Sequence, residues 1–338
     1  MSKILFHTDG HCRERGSFSP FHMLDSNGLT KELNNFILAC QFTADKIRET
    51  KPDAVGHLGD TYHIQEFIPV PVIWGSHIGE KLISDACKEL NIPYYRLLGN
   101  HDLWSETQLI HSLSGFENYG EIIINPIIKD IKGLKVGFLP YRSSYAWNYS
   151  NIQAMEKSAD LLCCHNEFIG AAYNSGKSVE EGLSPNIKIP TISGHMHLVQ
   201  KVGNVYFPGS TVLNMFVTDD EERIGGICVY DSETKNIERH INTYSRHYLK
   251  TTIDKIKFLD PKRYVLQLLL DPEVNIEQLR EELSEYMFTP IYKSSHSINN
   301  RMRESYTGFE TTDPKVILKD FVLKDRPDVA KVIERLFK

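Results

Sequence analysis

The chain has 338 residues, with 38 Lys plus Arg against 44 Asp plus Glu for a formal charge of −6, and is 41% apolar and 24% charged. That mix is expected of a globular protein with a core of ordinary size, and it excludes low-complexity, collagen-like and disulfide-stapled classes. No apolar run approaches the ~20 residues of a membrane helix, and the acid excess excludes a surface coated in basic charge while leaving room for a local basic groove.

Residues 4–6 are a short apolar run and predict a buried strand, entered directly from Met1-Ser2-Lys3 without a signal peptide. Leu33, Phe36, Ile37, Cys40, Ala44 and Ile47 then recur at helical spacing. A second strand at 54–58, a second helix at 78–90 and a third strand at 94–98 follow. Strands divided by helices imply β-α-β units with a parallel core. Near residue 120 the texture changes. Strands are predicted at 122–124, 126–128 and 135–139, then at 161–164, 191–193, 205–207 and 226–230. The short connections predict antiparallel hairpins in a second sheet packed on the first. After residue 245 a strand at 264–270, a helix at 276–287 and a strand at 289–292 make one small β-α-β unit. The expected organisation is a main domain over 1–245, a small capping domain over 246–292, a polar linker over 293–313 and a C-terminal helical segment over 314–338. In that segment Val329, Val332, Ile333, Leu336 and Phe337 share one helical face behind Pro327. The six cysteines show no C-x-x-C spacing and read as reduced thiols of an intracellular protein.

Fourteen histidines stand out, because imidazole is the commonest metal ligand. Several fall in five motifs, each at the end of a predicted strand. They are Asp9-Gly10-His11, Gly59-Asp60, Gly99-Asn100-His101-Asp102, His165 within Cys163-Cys164-His165-Asn166-Glu167, and Gly194-His195-Met196-His197. Ligands of α/β sheets bind beyond the carboxyl ends of strands. If the strands run on through the motifs, Asp9 and His11 point the same way, as do His195 and His197, with Met196 turned to the other side. Taken singly, Asp9 or Gly59-Asp60 reads as a turn, His11 as a surface histidine and His165 as a hydrogen-bonded core residue. The ordered set of five reads as a metal site. Oxygen and imidazole donors without thiolates suit Mn²⁺, Mg²⁺, Fe or Zn²⁺.

The set resembles the calcineurin-like metallophosphoesterase superfamily, whose pattern is D-x-H, G-D, G-N-H-D/E, H and G-H-x-H, over roughly residues 3–230. The resemblance implies an α/β fold, a four-layer α/β/β/α sandwich of two sheets packed face to face, here with a small α/β capping domain and a C-terminal helix. It implies two divalent metal ions, Mn²⁺ foremost. One would be held by Asp9, His11 and His197, the second by Asn100, His165 and His195, with Asp60 bridging both. Such a pair clamps a phosphate and supplies a hydroxide for in-line attack. His101 follows a ligand without being one and is the resembling leaving-group residue. Asp102 would fix the tautomer and orientation of His101; its other reading is an N-cap for a turn near Ser105, although Ser105 is itself the better cap.

Within the superfamily, three features resemble the DNA-repair nuclease branch. His63, three residues after Asp60, gives G-D-x-x-H and adds His63 to the catalytic set. Gly209-Ser210-Thr211, followed by the acidic stretch 219–222 and a Gly225-Gly226-Ile227 strand, resembles the G-S-[PT] segment of SbcD-type exonuclease subunits. The cap, linker and terminal helix also match that branch, and resemble the recombination nuclease subunits of large tailed phages. His7-Thr8-Asp9 departs from the branch's usual Ser-Asp start, and the cap is short. The resemblance implies a Mn²⁺-dependent DNA phosphodiesterase, exonuclease on duplex DNA and single-strand endonuclease. It further implies a cytoplasmic homodimer (host cytoplasm if phage-encoded), an SbcC-type ATPase partner bound through the C-terminal helix, and no membrane. A phosphatase or nucleotide phosphodiesterase is the alternative inside the superfamily; a non-catalytic binding module on the same fold is the alternative outside it. Lys250, Lys255, Lys257, Lys262 and Arg263 read either as a phosphate-positioning groove or as solvated surface charge. The C-terminal stripe either packs on its own domain or presents a partner helix.

Overall fold

The computed structural model describes residues 2–14, 24–65, 67–104, 110–212, 217–218 and 224–292. The expected linker and C-terminal helix lie outside the described residues, as does the acidic stretch 219–222. The described residues fall into two units, one within residues 1–268 together with 283–289, the other within 269–282 together with 290–292. Among the described residues no helix is long and apolar enough to cross a membrane.

The larger unit is built on two six-stranded sheets. In the first, β1 (Lys3–His7), β2 (Ala54–His57), β3 (Tyr94–Leu97) and β4 (Glu121–Ile123) run parallel, and β12 (Gly226–Asp231) then β13 (Asn236–Ile241) add antiparallel beside β1. The second sheet orders β5 (Ile127–Ile131), β6 (Leu134–Leu139), β7 (Leu161–Cys164), β8 (Thr191–Ser193), β10 (Val205–Phe207) and β9 (Gln200–Val202). Its middle four strands are parallel and its two edge strands antiparallel. The expected run of hairpins therefore holds only at the edges, and the 226–230 strand belongs to the first sheet.

Side-chain alternation with a period of two sorts the core into layers. On β1, Leu5 packs with α1 (Lys31–Thr50) and α2 (Val70–Glu89), whereas Ile4 and Phe6 turn to the layer between the sheets. On β7, Cys163 joins that middle layer, and Leu162 and Cys164 turn outward to Ile152 and Met155 of α3 (Tyr145–Met155). The order helix, sheet, sheet, helix is the expected α/β/β/α sandwich. All six cysteines are buried free thiols, the adjacent pair facing opposite layers.

Local chemistry sets the helix ends. The Thr30 side chain accepts the Leu33 N–H (3.3 Å) to start α1, and Lys51 closes it in the left-handed conformation. α2 starts well before the expected residue 78. Pro71 lies in its first turn, where an N–H has no intrahelical partner to lose, so proline there begins a helix rather than breaking one.

A third, four-stranded sheet orders β11 (Val217–Thr218), β14 (His247–Thr252), β15 (Tyr264–Leu270) and β16 (Met287–Tyr292), with the single-turn α4 (Ile253–Ile256) after β14. β11 comes from before residue 245 and pairs parallel with β14. Asn35 of α1 anchors the start of this sheet: its Oδ1 accepts the Arg246 N–H (2.5 Å) and its carbonyl the Ser245 hydroxyl (2.9 Å). The helix expected over 276–287 is shorter. α5 (Ile276–Glu282) starts where Asn275 Oδ1 accepts the Glu277 N–H (3.0 Å), and Met287 already belongs to β16.

Candidate metal centre

The five motifs lie on loops that follow β1, β2, β3, β7 and β8, but the strands stop short of them. β1 ends at His7 and β8 at Ser193. Asp9 (φ 51°), His11 (φ 42°), Asp60 (φ 58°) and His195 (φ 78°) occupy the left-handed region. Strand continuation through Asp9–His11 and His195–His197 is thus corrected: tight turns, not pleat alternation, aim these side chains. Met196 still turns away, into the outer core. A non-glycine residue held left-handed costs about 1–3 kcal/mol, and neighbouring backbone holds these. Asp9 N–H donates to Gly59 O (3.0 Å), His11 N–H to Asp60 O (3.1 Å) and Gly194 N–H to Cys164 O (3.0 Å). The Gly209-Ser210-Thr211 segment serves the same loop, since Thr211 Oγ1 accepts the Thr8 N–H (3.0 Å).

Two groups of donor atoms result. In one, His11 Nε2 and His197 Nε2 are 2.8 Å apart, with Asp9 Oδ1 3.8 Å from each. In the other, Asn100 Oδ1 lies 3.1 Å from His165 Nε2 and 2.9 Å from His195 Nδ1. Asp60 Oδ2 stands between them, 3.6 Å from His11 Nε2 and 3.3 Å from His165 Nε2. Its Oδ1 accepts the His101 backbone N–H (2.8 Å), leaving Oδ2 to face both groups. The structure thus brings together all seven expected ligands, and three overlapping groups converge tightly enough to hold an ion: Asp9–His11–His197, Asp60–His165–His195 and, between them, His11–Asp60–His101. Imidazole and oxygen donors without sulfur fit divalent metals.

Electrostatics agree. Burial drives the His11 and His197 imidazoles down, keeping their lone pairs free of protons. Burial works against an ionised Asp60, but the facing imidazole of His165 outweighs it and holds the carboxyl well below the usual range. Burial opposes protonation of His165, and Asp60 reverses this, pushing His165 up to about 9. A bound dication would take the place of that proton.

His165 Nδ1 meets Leu58 O at 2.6 Å, and His195 Nε2 meets Glu167 Oε1 at 2.9 Å. Carbonyl and carboxylate oxygens only accept, so each contact fixes which ring nitrogen carries hydrogen and which faces the site. His101 Nδ1 is likewise 2.7 Å from the carbonyl oxygen of His63. The expected orienting role of Asp102 is corrected here. Its carboxylate accepts the backbone N–H groups of Asp60 (2.8 Å), Thr61 (3.0 Å) and Gly99 (3.0 Å), tying two loops together and closing the short 3-10 turn Asn100–Asp102 through its Gly99 contact; the turn expected near Ser105 lies outside the described residues. Burial, reinforced by the Asp60 charge, pushes Asp102 up to about 6. His63 does sit in the site: its ring lies parallel to His101 at 5.7 Å and edge-on to His11 at 5.4 Å.

Sequence reasoning missed three residues. Arg13 reaches His63 Nε2 (2.9 Å) and is held by Glu32 of α1 (3.0 Å); burial, with this guanidinium, lowers His63 to about 4. Glu167 lies inside a quoted motif, yet its reach to His195 is a tertiary fact. The His195 hydrogen bond holds its carboxyl down at about 2.

Residues 2–208, which carry all five motifs, match a model of the calcineurin-like phosphoesterase family, and the chain belongs to that family. It is 30% identical over 188 residues to the putative phosphoesterase 244L of Invertebrate iridescent virus 6, covering 49% of this chain and 66% of that protein. Among solved structures it is similar to Yfce, a phosphoesterase from E. coli, at 12% identity over 71% of this chain and 100% of that one, with a TM-score of 0.31. It is also similar to a dimetal phosphatase from Danio rerio, at 9% identity over 68% and 91%, with a TM-score of 0.39.

Proposed function

We propose that this chain is a two-metal phosphodiesterase that cleaves DNA, the nuclease subunit of an SbcCD-like recombination and repair complex. The observation that carries the hydrolytic reading is Asp60 Oδ2 standing between two groups of imidazole and oxygen donors. When bound there, two divalent ions clamp a phosphoryl group and supply the attacking nucleophile. The chain's own residues do the rest. Asp9, His11 and His197 would hold one ion, Asn100, His165 and His195 the other, and Asp60 both. His101 keeps its Nδ1 hydrogen on the His63 carbonyl, so Nε2 is the atom that delivers a proton to the leaving oxygen.

The nuclease branch is supported by His63 of the G-D-x-x-H motif, stacked on His101, and by Thr211 of the Gly-Ser-Thr segment, which secures the loop before Asp9. The ATPase partner, engaged through residues 314–338, and a homodimer complete the proposal. Linear duplex DNA with Mn²⁺ is the test. Wild type should cleave it, and His101→Ala should lose about 10²–10⁴-fold in rate while still binding metal. Fast turnover of a small phosphoester with no DNA cleavage would replace this reading by a phosphatase, and an unimpaired His101→Ala would remove the role of His101.

A further inference from the structure

His195 presents Nδ1 to the second donor group, 2.9 Å from Asn100 Oδ1 and 3.3 Å from His165 Nε2. Its other nitrogen, Nε2, meets Glu167 Oε1 at 2.9 Å. That carboxylate is itself held from two sides: the Tyr173 hydroxyl donates to Oε1 (2.9 Å) and the Tyr145 hydroxyl, at the start of α3, donates to Oε2 (3.2 Å). The ring of Tyr141 lies nearly parallel to that of His195, 6.2 Å away at 17°. A carboxylate that accepts from Nε2 requires the hydrogen there and leaves the Nδ1 lone pair facing Asn100.

We infer that Glu167 is the positioning residue of the second ion site: it fixes His195 in the Nε2–H tautomer with Nδ1 as the ligand atom, and Tyr145 and Tyr173 lock the carboxylate that does so. The inference rests on reading Asn100, His165 and His195 as ligands. It distinguishes the two histidines of that site: His165 is oriented by a backbone carbonyl, whereas His195 depends on a side chain that substitution can remove. In the first site His197 Nδ1 faces Asn174 Nδ2 (3.1 Å) and not Glu167. Outer partners of ligating histidines are worth about 10–100-fold in metal affinity, and here that effect falls on one site.

The test is calorimetric titration of the full chain with Mn²⁺, comparing wild type, Glu167→Ala, Glu167→Gln and Tyr145→Phe/Tyr173→Phe, with Asn100→Ala marking which affinity belongs to the second site. Glu167→Ala should weaken that site about 10–100-fold and leave the other at its wild-type affinity. Glu167→Gln, which keeps an accepting oxygen, should retain more affinity than Glu167→Ala, and the tyrosine pair should fall between wild type and Glu167→Ala. Wild-type affinity at both sites in Glu167→Ala, or equal weakening of both, would overturn the inference. Should Glu167→Ala not fold, Glu167→Gln and the tyrosine pair decide by the same criterion, two unchanged affinities overturning it. A wild-type chain that binds no ion would instead overturn the metal centre, and this inference with it.

Discussion

Asp102 and Glu167 are both carboxylates beside a candidate histidine, yet they act on different parts of the site. Asp102 accepts three backbone N–H groups from the Asp60 and Gly99 loops, and Glu167 accepts from the ring of His195. Asp102→Asn would set an amide donor against those N–H groups, and should cost about 1–3 kcal/mol in urea unfolding of the metal-free chain. The donor residues that converge were legible in the sequence because D-x-H, G-N-H-D and G-H-x-H place carboxylate, amide and imidazole donors just past strand ends. The partners that orient them were not. Arg13 reaches His63 and Glu167 reaches His195 across 50 and 28 residues of chain, distances at which no local pattern exists. At the same scale, His247 is buried on β14 with Nε2 2.8 Å from the Asn242 carbonyl, and burial lowers it to about 4. Its unfolded value is about 6.5, so the folded chain binds fewer protons. The stabilisation is complete above about 6.5 and is lost as pH falls toward 4. Unfolding free energy of the metal-free chain should drop across that window, and His247→Gln should make the drop shallower; an unchanged slope would contradict this.

The loops, more than the strands, are the elements that build the site. Gly59 sits at φ 106°, and a Cβ there would come within 2.7 Å of the Gly99 backbone nitrogen and 2.6 Å of His165 Nδ1. Gly59→Ala combines a left-handed backbone with a clash against main chain, and should cost more than about 1 kcal/mol and lower metal affinity. A thermal melt unchanged from wild type would contradict the close packing of the two loops. The parallel start, β1 to β3, was readable because long amphipathic helices separate the strands. The parallel middle of the second sheet was not, since close spacing looks like hairpins while the partner of each strand is chosen by tertiary packing. α3 escaped notice because its inward residues, Asn148, Ile152 and Met155, include a polar one and its tyrosines stay exposed. The turns at Asp9, His11 and His195 escaped for another reason: left-handed backbone at a non-glycine leaves no mark in composition.

In the molecule as a whole, three apolar layers enclose the two sheets and deliver five loops to one place, and that layering was visible as the change of texture near residue 120. The donor atoms brought together in the metal centre all come from residues 9–197. Deleting residues 293–338 should therefore leave metal binding as in the full chain and abolish co-purification with an SbcC-type ATPase; retained association would contradict the role proposed for the tail. The central claim is that Asp60, whose Oδ2 stands between the two donor groups, would be a ligand shared by two ions. Counting bound Mn²⁺ per chain at saturation, in wild type and in Asp60→Asn, tests it most directly. Two ions per wild-type chain are expected, with both sites weakened in Asp60→Asn. One ion or none in wild type, or two full-affinity sites in Asp60→Asn, would contradict it.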